Sequence, residues 1–217
     1  MFEKDYIMRM IQPVAKILAR VLFRIKSGRI EEASLDLQTA AERFLGFKLD
    51  MILSLSNPEF IELLSVNGKL DVEKAYIAGQ LLFCEANIRD EDNGSGGREI
   101  HLRSLDLLLQ GFPQMDEAFK TEAVSTINQI LSRLGNQNLP TDIYRLLIPY
   151  HEYTVEYSKA EDCLFELVEN GFEEALQIGE SFYSRLLKRT NQELKRGNLP
   201  LSEVNEGLQE LKAKLTT

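Results

Sequence analysis

Apolar residues recur at steps of three and four through most of the chain, and this spacing predicts amphipathic α-helices. The clearest stripe runs along the first segment and is formed by Ile7, Met10, Ile11, Val14, Ile17, Leu18, Val21, Leu22 and Ile25. Basic residues fall on another face of the same segment, at Arg9, Lys16, Arg20 and Arg24. Pro13 lies inside the pattern, so we expect either a kink or a break with a second helix starting at the proline.

Residues that favour helix ends divide the remainder of the chain into further helices. N-caps are predicted at Asn57 (before Pro58), Asp71, Thr141 and Ser202, with the helix after Asp71 running to about residue 90. Left-handed glycine caps are predicted at Gly28, Gly68, Gly111, Gly135, Gly171 and Gly197. Residues 90–97 have no apolar anchor and predict a mobile loop. No segment alternates as a strand would, so the predicted class is all-α.

A short phrase recurs at the start of predicted helices. It reads GRIEEA at residues 28–33, GFEEA at 171–175 and, more loosely, GKLDVEKA at 68–75. The glycine reverses the chain, the acids favour the positive end of the next helix dipole, and the alanine permits close packing. The phrase therefore predicts repeated helix–turn–helix units, an architecture that mostly binds other molecules.

These helix pairs resemble tetratricopeptide (TPR) repeats, and residues 144–167 match best. The positions that carry the resemblance are Tyr144, Leu147, Tyr157, Ala160, Leu164 and Leu167, with Gly79 and Gly179 as small residues at close helix approaches. His151 and Val155 depart from the pattern, since the family prefers an aromatic and a glycine there. The resemblance implies a right-handed array of antiparallel helix pairs, a TPR-like α-solenoid over residues 68–215. Together with an N-terminal amphipathic helix over residues 1–30, this makes a single domain over 1–217.

The opening residues, MFEKDYIMRMI at 1–11, resemble the start of an uncharacterised bacterial family that combines this helix with TPR-like helices. The resemblance implies a bacterial, cytoplasmic protein and transfers no active site. The segment also lacks the features of a signal peptide, because charged residues interrupt its apolar stretch. No apolar run is long enough to predict a transmembrane helix.

Charge is unevenly distributed along the chain. The 217 residues include 34 acidic and 25 basic side chains, for a net charge of −9, which argues against nucleic acid as a partner. Residues 1–30 nevertheless carry a net charge of +5. A basic amphipathic helix can lie on an anionic membrane or bury its stripe in a homodimer. Alternatively, the stripe packs on the helical array and the basic face meets acids of neighbouring helices.

Candidate catalytic and metal-binding residues do not form a recognisable motif. Cys84 and Cys163 lie in apolar helical sequence and predict buried, reduced thiols. His101 and His151 lack the spacing of a zinc site. Residues 90–97 lack the glutamate that closes a calcium loop, and no Gly-Lys-Ser/Thr follows them as in a phosphate loop. We therefore predict no enzyme, no cofactor and no metal, although ligands from distant helices would escape this reasoning.

Aromatic and polar residues on the first helix of each pair are the candidate partner-binding positions. By analogy with TPR grooves they are Tyr76, Gln80, Arg145, Glu152, Glu180 and Tyr183. Tyr150, Tyr153 and Tyr157 also share a predicted helix face, which indicates inter-helix packing more than a groove. The sequence thus predicts a non-catalytic module that binds a protein or peptide. A membrane-surface or oligomerisation module acting through residues 1–30 is the alternative.

Overall fold

The computed structural model describes residues 2–93, 96–135 and 139–214, and for residues 2–11 and 93 it describes the backbone alone. Within these ranges it contains twelve α-helices, one 3₁₀ turn and a two-stranded hairpin, which confirms the predicted all-α class. Contacts divide the chain into two compact units, residues 1–137 (unit 1) and 138–217 (unit 2). The single domain over 1–217 stays a prediction.

Unit 1 is organised around one central helix, α5. Its elements are α1 (Phe2–Lys26), α2 (Ile30–Leu45), α3 (Leu49–Ser54), α4 (Asn57–Leu63), β1 (Ser65–Val66), β2 (Lys69–Leu70), α5 (Val72–Asn93), α6 (Gly97–Gly111), a 3₁₀ turn (Phe112–Gln114) and α7 (Glu117–Leu134). Residues 75–88 of α5 are all buried, and α5 packs against α1, α2, α6 and α7. A helix covered on all sides is typical of a bundle. The predicted right-handed array of helix pairs stays a prediction.

The first helix is continuous through Pro13, so the predicted alternative of a break there is wrong. Its apolar stripe faces inward: Val14, Leu18, Val21 and Ile25 are buried, and α1 packs against α2 and α5. The part of the stripe at residues 7–11 lies outside the described side chains. The described part therefore serves as core of unit 1.

A β-hairpin precedes α5, contrary to the prediction of no strands. Ser65 pairs with Leu70 and Val66 with Lys69 in antiparallel register. The two turn residues between the strands both have positive φ, 53° at Asn67 and 72° at Gly68. Asn-Gly is the preferred sequence for such a two-residue hairpin turn, because both residues tolerate the left-handed region. Gly68 therefore turns a hairpin and does not cap a helix.

The helix N-termini follow the predicted positions to within one residue for α4, α5 and α8, whereas α12 begins two residues earlier than predicted, and the capping groups differ. Asp71 caps α5 as predicted, since its Oδ1 accepts a hydrogen bond from the Lys74 N–H at 3.1 Å. For α4 the cap is Ser56, which forms a capping box, and Asn57 is already helical. Thr141 and Ser202 also lie within their helices and make no side-chain cap.

Besides Gly68, which turns a hairpin, three of the predicted glycines are not left-handed caps. Gly28 and Gly171 have positive φ as expected, whereas Gly135 combines φ 64° with ψ −156° and Gly111 is the last residue of α6. Gly197 has φ −87° and lies against the ring of Tyr157, where a Cβ atom would overlap the ring. Lack of a side chain, and not a left-handed backbone, is what this position requires.

The segment predicted as a mobile loop, residues 90–97, is shorter than expected. α5 extends to Asn93 and α6 begins at Gly97, so Asp90 lies in the last part of a helix. Residues 94 and 95 lie outside the described residues. Asp90 has a structural role that keeps it helical: its Oδ2 accepts a hydrogen bond from His101 Nε2 at 3.0 Å.

Unit 2 contains α8 (Thr141–Tyr153), α9 (Tyr157–Glu169), α10 (Ala175–Leu186), α11 (Asn191–Arg196) and α12 (Leu201–Lys214). The helices α8 and α9 form a hairpin, and the TPR-matching residues Leu147, Tyr157, Ala160, Leu164 and Leu167 are buried in it. The predicted common face of Tyr150, Tyr153 and Tyr157 is wrong, because α8 ends at Tyr153 and Tyr157 begins α9. Val155, in the turn, has φ 58°.

The predicted close approaches at two helix glycines are confirmed. A Cβ atom on Gly79 would lie 2.6 Å from Leu108 Cγ, so α5 and α6 approach as closely as the glycine allows. A Cβ atom on Gly179 would overlap Leu211 and lie 3.0 Å from Leu164 Cδ2. Each glycine thus sets the packing distance within its own unit.

A candidate binding groove between α8 and α10

The helices α8 and α10 border a concave surface of about 360 Å³ in unit 2, which we call the arginine groove. Its α8 side carries residues spaced at i, i+3 and i+4, which places them on one helix face. The lining residues are Arg145, Ile148, Pro149, Gln177, Ile178, Ser181 and Arg185. Ile148 is buried and forms the floor, while the polar residues of the set are exposed. The groove thus combines an aliphatic floor with a polar rim.

Pro149 gives the groove an unusual feature of the backbone. Proline lies inside α8 and has no N–H, so it cannot donate the helical hydrogen bond to the carbonyl of Arg145 four residues earlier. Both residues line the groove. The α8 wall of the groove therefore lacks one helical hydrogen bond.

One arginine of the groove is held by an ion pair. Arg185 Nε donates to Glu152 Oε2 at 2.9 Å, and Arg185 Nη2 donates to Glu152 Oε1 at 2.5 Å. This two-point bond raises the pKa of Arg185 above its ordinary value. It also joins the end of α8 to α10 and fixes the orientation of the guanidinium.

The second arginine of the groove, Arg145, has no partner within the described part of the chain. Arg145 is exposed, and among the described residues it makes no hydrogen bond or ion pair. Its planar group can donate up to five hydrogen bonds. An exposed guanidinium beside aliphatic lining residues is the distinctive chemical feature of this surface.

A second concavity of about 430 Å³ adjoins the groove and has the opposite charge; we call it the acidic edge. It is lined by Glu173, Glu174, Leu176, Gln177 and Glu180. Gln177 belongs to both surfaces, so they meet along α10. The charge along the exposed side of α10 therefore changes from positive at the arginine groove to negative at the acidic edge.

Two of the predicted partner-binding residues in unit 1 are part of the core. Tyr76 is buried, and its ring lies edge-on to the ring of Phe119, with centroids 4.8 Å apart. Gln80 is buried and accepts a hydrogen bond from Thr126 Oγ1 at 3.1 Å. Both residues belong to the central helix α5, and their side chains contact α7. The prediction that they line an open groove is therefore wrong.

The four predicted residues in unit 2 are divided between core and surface. Tyr183 is fully buried and donates a hydrogen bond to Glu161 Oε1 at 2.7 Å, so it cannot line a groove. Arg145 lines the arginine groove, Glu152 holds Arg185 of that groove, and Glu180 lines the acidic edge. The structure therefore brings three predicted residues to one region, and their partner-binding role stays a prediction.

Sequence reasoning missed the α10 side of the groove, namely Gln177, Ile178, Ser181 and Arg185. The analogy with TPR grooves selected other positions on the same helix. One signal was available, since Pro149 inside a helical pattern marks a place where the backbone lacks a hydrogen bond. The sequence alone does not show that α8 and α10 border the same surface.

Two arginines on the basic face of α1 bond to residues of α2 within unit 1. Arg20 Nε and Arg24 Nη1 both contact Asp36 Oδ2 of α2, at 2.6 Å and 2.7 Å. Arg24 Nη1 also donates to the Glu32 carbonyl at 2.9 Å. These bonds follow the alternative in which the basic face meets acids of a neighbouring helix. Membrane binding or oligomerisation through residues 1–30 stays a prediction, and the side chains of residues 2–11 lie outside the description.

A further concavity in unit 1, of about 500 Å³, lies between α2 and α5. It is lined by Ile30, Glu31, Ser34, Leu35, Gln38, Glu85, Ile88, Arg89 and Asp92. Its arginine is already paired, because Arg89 Nε donates to Glu85 Oε1 at 2.7 Å. Leu35 is 65% exposed at its rim. Since its arginine is engaged, this surface is a weaker candidate for ligand binding than the arginine groove.

Both histidines are buried and neutral. His101 donates to Asp90, which also lies 3.5 Å from Arg133 Nη1, and its Nδ1 atom has no partner. His151 Nδ1 donates to Glu156 Oε2 at 3.0 Å. Burial lowers the pKa of each imidazole below its ordinary value, and the neighbouring carboxylate offsets this only in part. Their bonds connect helix ends and turns.

Both cysteines are buried and free, as predicted. Burial raises the pKa of the Cys84 and Cys163 thiols to about 12. A thiol with so high a pKa is a poor nucleophile, because the thiolate is the reactive form. In the described ranges, no three His, Cys, Asp or Glu side chains are grouped to hold a metal ion. Nor is any helix there sufficiently long and apolar to span a bilayer.

The fold and the groove thus define an all-α protein with surface concavities on paired helices. The profile of a family of unknown function (DUF6483) matches residues 1–216, and the chain belongs to that family. No curated protein and no solved structure matches the chain.

Proposed function

We propose that this protein is a non-catalytic helical module that binds a peptide segment of a partner protein in the arginine groove. The observation that carries the proposal is the unpaired guanidinium of Arg145 beside an aliphatic floor, on an exposed concave surface. Guanidinium groups and apolar pockets are the features that contribute most to protein interfaces. The groove lies between two helices, a common place for peptide recognition.

The lining chemistry suits a peptide more than a small apolar molecule. Gln177 and Ser181 can each donate and accept hydrogen bonds. Ile148 and Ile178 supply the apolar contact. A peptide presents backbone and side-chain groups that match this mixture, because it carries donors, acceptors and aliphatic groups at short spacing.

The absence of catalysis is part of the same proposal. The residues best suited to nucleophilic or acid–base chemistry, His101, His151, Cys84 and Cys163, are buried in the helix packing. Each imidazole donates to a carboxylate, and each thiol has a raised pKa. None of the four lines a concavity described above.

The finer assignments also belong to the proposal. A TPR-like arrangement is supported by the α8–α9 hairpin, whose matching positions are buried, and by the glycine contact at Gly179. A bacterial origin is supported by the resemblance of residues 1–11. A cytoplasmic location is supported by the two free, buried cysteines.

The proposal can be tested by panning a library of short random peptides against the full chain. Recovered peptides would be synthesised with a fluorescent label and titrated by anisotropy. Ser181→Trp places a bulky ring in the groove, and Ser184→Trp is its matched control, because Ser184 is an exposed serine on the same helix outside the groove. Both variants would be checked for unchanged helix content.

We expect Ser181→Trp to weaken peptide binding by about tenfold or more and Ser184→Trp to leave it within about twofold, since only the first fills the groove. Recovery of no binding peptide, or equal affinities for the two variants, would overturn the proposal. A peptide-independent enzymatic turnover by the purified chain would overturn its non-catalytic part.

A further inference from the structure

We infer that the arginine groove and the acidic edge together select an amphoteric peptide segment, with an acidic side chain, an aliphatic one and then a basic one. This inference rests on the proposed function and specifies its ligand. It is carried by the charge pattern along α10, where two concavities of opposite charge share Gln177.

The acidic residue of the segment is assigned to Arg145. The groove lining contains two arginines and no acidic residue. Glu152 occupies two donor positions of Arg185, whereas Arg145 has no partner among the described residues. The positive charge of this groove contrasts with unit 2 as a whole, where acidic side chains outnumber basic ones. A carboxylate is the group that a planar guanidinium binds at two points.

The aliphatic residue of the segment is assigned to the floor. Three of the lining residues are apolar: Ile148 is buried, whereas Pro149 is exposed and Ile178 is partly exposed, so these two present the apolar surface that a ligand can cover. An aliphatic side chain over this floor gains the free energy of removing apolar surface from water. A charged side chain there would lose its hydration without a partner.

The basic residue of the segment is assigned to the acidic edge. Glu173, Glu174 and Glu180 line it, and the exposed apolar side chain of Leu176 lies among them. No ion pair joins these three carboxylates to a basic group within the described residues. A lysine or arginine can place its charge against the carboxylates and its methylene stem against Leu176. Like charges repel a second acidic residue from this position.

The test is a pair of charge-exchange cycles on the peptides recovered by panning. In the first, Arg145→Glu is combined with a peptide whose acidic residue is replaced by lysine. In the second, Glu180→Lys is combined with a peptide whose basic residue is replaced by glutamate. Arg196→Glu serves as the control for Arg145→Glu, because it makes the same charge change in unit 2 and does not line either surface.

We expect each protein variant to weaken binding of the original peptide by about fivefold, the range of a single exposed ion pair, and to favour its exchanged peptide. Added salt should shrink the effects, since exposed charges are screened. The inference is overturned if recovered peptides lack the charge pattern or if Arg145→Glu acts like Arg196→Glu. Should Ser181→Trp still abolish binding in that case, the proposed function stands and only this ligand assignment fails.

Discussion

Glu152 on α8 accepts two hydrogen bonds from the guanidinium of Arg185 on α10, across a sequence separation of 33 residues. The pair lies at the rim of the arginine groove, with side chains that are 17% exposed for Glu152 and 50% for Arg185. It keeps one arginine of the groove occupied, whereas Arg145 has no hydrogen bond or ion pair among the residues that the structure describes. The bond therefore affects the stability of unit 2, and it also decides which arginine of the groove is open to a charged ligand.

Removal of this carboxylate charge should cost little stability. We expect Glu152→Gln to lower the free energy of unfolding by about 1 kcal/mol or less, because a partly exposed ion pair is weakened by solvent. Urea denaturation in low and high salt would measure the loss, which should shrink with salt. Glu173→Gln is the control, since Glu173 is exposed and has no ion pair within the described residues. A loss of several kcal/mol would show that the pair is a core element.

The turn between α8 and α9 contains a residue in an unfavourable conformation. Val155 has φ 58°, a left-handed value that branched side chains rarely adopt, and its side chain is 41% exposed. Val155→Gly should raise the free energy of unfolding by about 1 kcal/mol. Glycine relieves the strain of the left-handed conformation, and this gain exceeds the loss that comes from the greater entropy of the unfolded chain. Val155→Ala keeps a Cβ atom and should gain less. The strain argument is wrong if alanine stabilises as much as glycine in thermal denaturation.

Much of the fold was accessible from the sequence because helix signals are local. The Asp71 cap, the burial of the α1 stripe at Val14 and Val21, and the close approaches at Gly79 and Gly179 all follow from spacing and side-chain size. The hairpin at residues 65–70 was missed although Asn-Gly predicts such a turn. Its strands are two residues each, too short to show any alternation.

The candidate site was much less accessible, since it depends on which helices are neighbours. Tyr76, Gln80 and Tyr183 were chosen by analogy, and the actual packing turns each of them into the core. Arg145 and Glu180 were chosen by the same analogy and lie on exposed concave surfaces. Helical periodicity identifies a polar face, but it does not show what that face meets.

Gly79 should be intolerant of even one added carbon. A Cβ atom there would lie 2.6 Å and 2.7 Å from two carbons of Leu108, inside normal contact distance. Gly79→Ala should therefore lower the free energy of unfolding by about 1–2 kcal/mol, since overpacking outweighs the better helix propensity of alanine.

A double-mutant cycle checks the cause of this loss. Leu108→Ala removes the atoms that a new Cβ would meet, and it is destabilising by itself because Leu108 is fully buried. In that background Gly79→Ala should become neutral or stabilising. Equal losses in both backgrounds would mean that contact with Leu108 is not the reason.

The thiols should react only when the protein opens. Cys84 is 1% exposed and Cys163 is 7% exposed, and burial raises the pKa of both to about 12. We expect a thiol reagent such as Ellman's reagent to label neither cysteine quickly in the native protein and to label both in urea. The single variants Cys84→Ala and Cys163→Ala would show which labelling rate belongs to which cysteine. Because the two cysteines lie in different units, unequal native rates would report independent opening of units 1 and 2.

Stability should fall in mild acid because both histidines are buried and neutral. Burial lowers the pKa of His101 and His151 in the folded protein, while the unfolded chain keeps the ordinary value of 6.5. Below pH 6.5 the unfolded state therefore binds more protons, and the free energy of unfolding decreases by up to about 1.4 kcal/mol per pH unit for each histidine. The contribution is absent well above that pH, where both states are unprotonated. Urea titrations at a series of pH values would measure the slope.

The matched variants are His101→Gln and His151→Asn, which remove the titrating group and keep an N–H donor at the Nε2 position facing Asp90 or the Nδ1 position facing Glu156. Each should be less stable than the wild type at neutral pH, yet each should show a shallower fall of stability with acid. The raised pKa of Glu161, which is due chiefly to burial, acts in the opposite direction and is common to all three proteins. The difference in slope between wild type and the His101 variant therefore isolates one histidine, whereas the His151 variant also alters Glu156, because the hydrogen bond from His151 helps to lower the pKa of Glu156. An unchanged slope in both variants would show that neither imidazole is held neutral by the fold.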